Sequence, residues 1–79
     1  MVEVISLVEM DTGKTGTITG MHGGHGMERN LEGMGIRIGS KIKKISQQIM
    51  NGPVVLLYGN THVAVGHGMA KRLMVEVER

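Results

Sequence analysis

The 79-residue sequence has no cysteine, no tryptophan, no phenylalanine and a single proline. Without cysteine there is no disulfide framework, no thiolate zinc site and no thiol nucleophile. Tyr58 is the only aromatic residue, which removes the stacked rings on which single-stranded nucleic acid is held. Charge of either sign is sparse as well. Nine Lys/Arg against seven Asp/Glu leave a net +2, a field too weak and too scattered to mark a nucleic-acid face. The longest aliphatic run, Val54-Val55-Leu56-Leu57, falls far short of the roughly 20 residues that cross a bilayer. Around Glu3 there is no basic segment leading into an apolar one, so no secretory signal is expected. These absences leave one small aliphatic domain over residues 1–79, expected in the cytoplasm. Its stability should be modest, roughly 0.05–0.15 kcal/mol per residue.

What the sequence has in quantity is glycine, thirteen residues, and methionine, eight. The glycines cut the chain into short segments with turns near Gly13, Gly20–Gly26, Gly39, Asn51-Gly52-Pro53 and Gly59-Asn60. Between them lie β-branched or alternating runs: Thr15–Thr19, Lys41–Gln47, Val54–Tyr58, Thr61–Val65 and Met74–Glu78. The alternation slips between Ile42 and Ile45, which predicts a bulge. The basic cluster Lys41, Lys43, Lys44 reads as the solvated face of that strand. Pro53 suits a strand start, and Gly59-Asn60 a two-residue hairpin turn. In Val54–Tyr58 both faces are apolar, and burial within the domain is the preferred reading of the outer one.

Two segments read as helix. Met27, Leu31 and Met34 recur at i, i+4 and i+7 over 27–34, with Gly35 placed to end the helix in a left-handed conformation. The second, Met69–Leu73, is long enough for about one turn. The expected fold is therefore mainly β: a small SH3-like barrel of about five strands, with one short helix after the first strand and a helical turn before the last.

From about Leu7 to Val77 the sequence resembles the FeoA family of small ferrous-iron transport accessory proteins. The most specific stretch is Leu31-Glu32-Gly33-Met34-Gly35-Ile36-Arg37-Ile38-Gly39-Ser40-Lys41-Ile42, similar to that family's helix-then-turn signature. The later run Gly52-Pro53-Val54-Val55, Val63-Ala64-Val65 and Ala70-x-x-Leu73-x-Val75 is similar to the family's ending. Ile38 stands where the family often has proline, and Gly66-His67-Gly68 replaces a more ordinary polar link. The resemblance implies an SH3-like barrel without catalysis. It also implies a cytoplasmic protein, at the inner face of the membrane, that docks on a ferrous-iron permease carrying a GTP-binding domain. The same module resembles the C-terminal domain of metal-dependent repressors.

Candidate chemistry is limited. His22-x-x-His25 lies in a glycine-rich loop, and two imidazoles there suit Fe(II) or another divalent transition metal. Two histidines alone do not make a closed site, and a plain surface loop is the competing reading. Met27 and Met34 read as core filler rather than as soft-metal ligands. Gly13-Lys14-Thr15 lacks the upstream glycine of a phosphate-binding loop. Asp11 is the sole aspartate, and no serine lies in a nucleophile elbow, so an enzyme is not expected. Function is then expected on the surface. The candidate partner-binding residues are Leu57, Tyr58 and His62 at one hairpin, with Met34 and Arg37 beside the helix turn. Neither nucleic acid nor insertion into a membrane is expected, and an open sheet edge permits self-association.

Overall fold

The computed structural model describes residues 1–78. Its elements are β1 (Val2–Ser6), β2 (Thr15–Met21), α1 (Gly24–Gly33), β3 (Lys41–Gln47), β4 (Val54–Tyr58), β5 (Thr61–Val65), α2 (His67–Arg72) and β6 (Leu73–Glu78). The strands form one antiparallel sheet in the order β1-β6-β2-β3-β4-β5. This is the expected SH3-like class, with β3, β4 and β5 within their predicted limits.

The sequence reading omitted a strand. Val2–Ser6 pairs along its length with β6, Val2 opposite Glu78 and Ser6 opposite Met74. Its alternation is hard to see because Val2 and Val4 are both exposed on this edge strand while Ile5 is buried. The glycine-rich stretch taken as a loop is in part helix: α1 starts at Gly24, three residues before the predicted start, and has no side-chain N-cap. Its inner stripe is Met27 and Leu31, both buried. Met34, expected on that stripe, lies past the last turn and is 38% exposed.

The exit from α1 follows the predicted chemistry. Gly35 takes φ +88, its N–H donates to Glu32 O, and Ile36 N–H donates to Leu31 O. This paired arrangement satisfies the last helical carbonyls and sends Ile36 into the core beside Leu31. Both side chains are fully buried. Ile18, Ile42, Val54, Leu56, Val65, Leu73 and Val75 complete the barrel interior.

A close approach and a bulge shape the sheet. At Gly16 an added Cβ would sit 2.5 Å from Val75 Cγ1 and 2.8 Å from Glu76 O, so β2 and β6 touch where only glycine fits. In β3 the pairing with β4 shifts between Lys44 and Ser46, which puts the predicted bulge at Ile45.

The lysine cluster needs correction. Lys41 and Lys43 are exposed, but Lys44, two residues beyond inward-facing Ile42, also points inward and is 2% exposed. Its Nζ donates to Leu7 O (3.0 Å), Val8 O (3.0 Å), Met10 O (2.5 Å) and Gln47 Oε1. The reason lies in the preceding segment. Ser6 and Glu9 form a reciprocal cap, Glu9 N–H to Ser6 Oγ and Ser6 N–H to Glu9 Oε1. They initiate a single turn in which Leu7 O accepts from Met10 N–H, while no backbone donor among the described residues reaches the Val8 and Met10 carbonyls. The ammonium supplies the missing donors. Burial pushes the Lys44 pKa below its ordinary value, and the Asp11 carboxylate acts in the opposite sense.

Candidate functional site

The β4–β5 hairpin turns at Gly59, with φ +60, a residue that takes this conformation at little cost. Across it Leu57 pairs with His62 and Tyr58 with Thr61. Directly opposed residues share a face, so Leu57 and His62 lie side by side on the outer face, with Lys43 of β3 on the other flank of Leu57. His62 is exposed and Leu57 half-buried. The outer face of β4, expected to be buried, is thus only partly covered: Val55 is also half-buried, between Ser46 and Ala64.

Tyr58 turns the other way and packs against the core. Its ring reaches Gly35, where an added Cβ would meet Tyr58 Cε2 at 3.5 Å. The hairpin and the helix exit, distant in sequence, therefore meet at this contact. Met34 and Arg37, both exposed, flank it, and Arg37 N–H donates to Ser40 Oγ at 3.0 Å. Tyr58 thus joins the hairpin to the helix exit from the inner side, while Leu57 and His62 face outward from the same two strands. What this arrangement offers chemically is mixed apolar and basic contact area. It holds no paired acid and base.

The histidines are placed differently from one another. His25 stands on the first turn of α1, its Nδ1 3.7 Å from Glu28 Oε2 one turn on. His22 lies at the end of β2, where its N–H donates to Arg72 O, and its side chain faces a depression that His67 also lines. Among the described residues no three His, Asp or Glu side chains gather in a group able to hold a metal ion. The pair does not fit a closed resident-metal site. The association of His22 with His67 was not legible in the sequence, because it depends on β6 pairing with β2.

Six antiparallel strands with two short helices define the class of small β-barrel modules. The particular family follows from comparison: the FeoA domain profile matches residues 5–77, and the chain belongs to this family. A protein of Methanocaldococcus jannaschii named Fe(2+) transport protein A is 45% identical over 53 residues. That match covers 67% of this chain and 62% of the relative's length. The crystal structure of an iron uptake regulatory protein (FeoA) superposes with a TM-score of 0.80 at 33% identity, covering 92% of this chain and 95% of that one. A manganese-dependent transcriptional repressor superposes with a TM-score of 0.87 at 19% identity, over 99% of this chain and 44% of that one. At that identity the likeness is one of fold. No helix among the described residues is long and apolar enough to cross a membrane.

Proposed function

We propose that this protein is a non-enzymatic accessory of ferrous-iron transport that works by contact with the cytoplasmic, GTP-binding part of a membrane Fe(II) permease. Membership of the FeoA family supports the transport setting. The observation that supports contact as the mode of action is the half-buried Leu57 on the outer face of the hairpin, set between Lys43 and His62; Tyr58, and Met34 with Arg37 at the helix exit, are proposed to extend the contact. A half-buried leucine beside exposed cationic and imidazole groups is the mixture expected at the centre and rim of a protein interface. The test is capture of the transporter's cytoplasmic part by the full chain. Leu57→Asp is expected to weaken capture about tenfold, the loss of one central apolar contact, with the circular dichroism spectrum unchanged. Undiminished capture by a folded variant removes the hairpin from the contact.

A second reading has one observation in its favour. The approach of His25 to Glu28 sets a carboxylate beside one of the two imidazoles, and a divalent metal bound by His22 and His25 would then regulate the contact. Calorimetric titration with Fe(II) decides it. Equal heats from wild type and the His22→Ala/His25→Ala variant eliminate this reading.

A further inference from the structure

On the side formed by the end of β2, α2 and β6 lies an open depression of about 660 Å³ lined by His22, His67, Lys71, Arg72 and Met74. A second of about 360 Å³, lined by Val8, Glu9 and Ser6, shares His67, Lys71 and Met74 with the first. The two are halves of one trough. Its first half carries two exposed cations and two imidazoles and no carboxylate. Neither Lys71 nor Arg72 makes an ion pair among the described residues. His67, at the middle, has a buried Nδ1 with no hydrogen-bond partner among the described residues. The second half is less basic: Val8 and Met74 supply apolar wall, and the Glu9 carboxylate is occupied by the Ser6 N–H.

We propose that this trough is a docking site for an extended acidic segment of a protein partner, with carboxylates over Lys71 and Arg72 and an aliphatic residue against Val8 and Met74. Charge complementarity selects the occupant. Carboxylates meet unpaired cations in one half, and an aliphatic side chain meets the apolar wall in the other. An isolated phosphate ion would use only the first half. A continuous phosphate backbone would leave the apolar wall of Val8 and Met74 without a partner. The inference rests on the reading that the protein acts by contact, and it adds a surface distinct from the Tyr58 anchor.

The probe is a fluorescein-labelled Glu-Glu-Leu-Glu-Glu-Leu peptide, titrated with the full chain and read by anisotropy. Saturable binding is expected, weakened about tenfold by Lys71→Glu/Arg72→Glu and weakened again on raising salt from about 50 to 300 mM, as for exposed charge pairs. A Lys-Lys-Leu-Lys-Lys-Leu counterpart is expected not to bind. Both substituted positions are exposed, so the thermal midpoint should hold. No binding by wild type, an unchanged affinity after charge reversal, or complete displacement by millimolar inorganic phosphate overturns the proposal. The same variant in the transporter capture assay separates the two readings. Capture lost with Leu57→Asp but kept with the charge reversal excludes the trough from that contact. Peptide binding without any transporter capture keeps the trough and removes the transporter as its partner.

Discussion

Lys44 is the residue on which the interior most depends for polar satisfaction. It replaces what a helix would do with further turns, giving donors to the buried Leu7 and Met10 carbonyls and the partly buried Val8 carbonyl. Lys44→Met keeps the aliphatic stem and removes the donors, so chemical denaturation should show a loss of about 2 kcal/mol. The pH dependence has a definite sign. Because the folded-state pKa is lowered, the unfolded chain holds this proton to higher pH than the folded one. Wild-type stability relative to Lys44→Met should then rise as pH climbs through the folded value toward 10.5. A gap that narrows over that window contradicts the assignment. A separate constraint acts at Gly16, where the atoms nearest an added methyl include the Glu76 carbonyl oxygen, which belongs to the backbone and has little room to yield. Gly16→Ala should lower stability by about 1–3 kcal/mol in the same denaturation experiment.

At the scale of the element, α1 is a helix that local propensity would not produce. Three of its ten residues are glycine, and no acidic residue lies in its first turn. What holds it is the burial of Met27 and Leu31 and the carbonyl-satisfying exit at Gly35. Gly26 has ordinary helical φ and open space around the place of a Cβ. Gly26→Ala should therefore raise the thermal stability by about 0.5–1 kcal/mol, whereas Leu31→Ala should cost about 2–5 kcal/mol. This element also shows what the sequence could and could not disclose. The exit at Gly35 was legible because a left-handed glycine followed by an apolar residue has few other uses. The start was not, because glycines that usually signal a loop were recruited into helix by tertiary packing. The inward lysine failed for a related reason: strand alternation marked the position as interior, and charge argued against it. The deciding partners, carbonyls some thirty-five residues away in sequence, leave no local trace, although the Ser6-x-x-Glu9 cap was there to be read.

At the scale of the whole molecule, aliphatic packing makes the barrel and leaves contact chemistry to its outside. Among the described residues five large apolar side chains remain there without cover besides those of β1: Met1, Met34, Ile38, and Ile49 with Met50 at the β3–β4 loop, the last two 86% and 91% exposed. Met50 and Asn51 both have positive φ, an expense for methionine. Met50→Gly should raise the denaturation midpoint, by about 1 kcal/mol in stability, if the conformation is retained. Of the five surface residues picked from the sequence, the structure gathers Tyr58 to Gly35 and Leu57 to His62. The trough was invisible, since its walls come from segments more than forty residues apart that only the β2–β6 pairing aligns.

That pairing also governs the order in which the protein can be made. The last strand of the chain is an inner strand of the sheet, lodged between the first and the second. A nascent chain that has already produced β1 through β5 therefore holds β1 with no neighbour and β2 with a bare flank, and both wait on the six residues of β6 beyond α2. Growth at one terminus is thereby converted into closure at the other. The completed barrel should appear as a single event once β6 is available, with the unpaired strands exposed to misassociation until then.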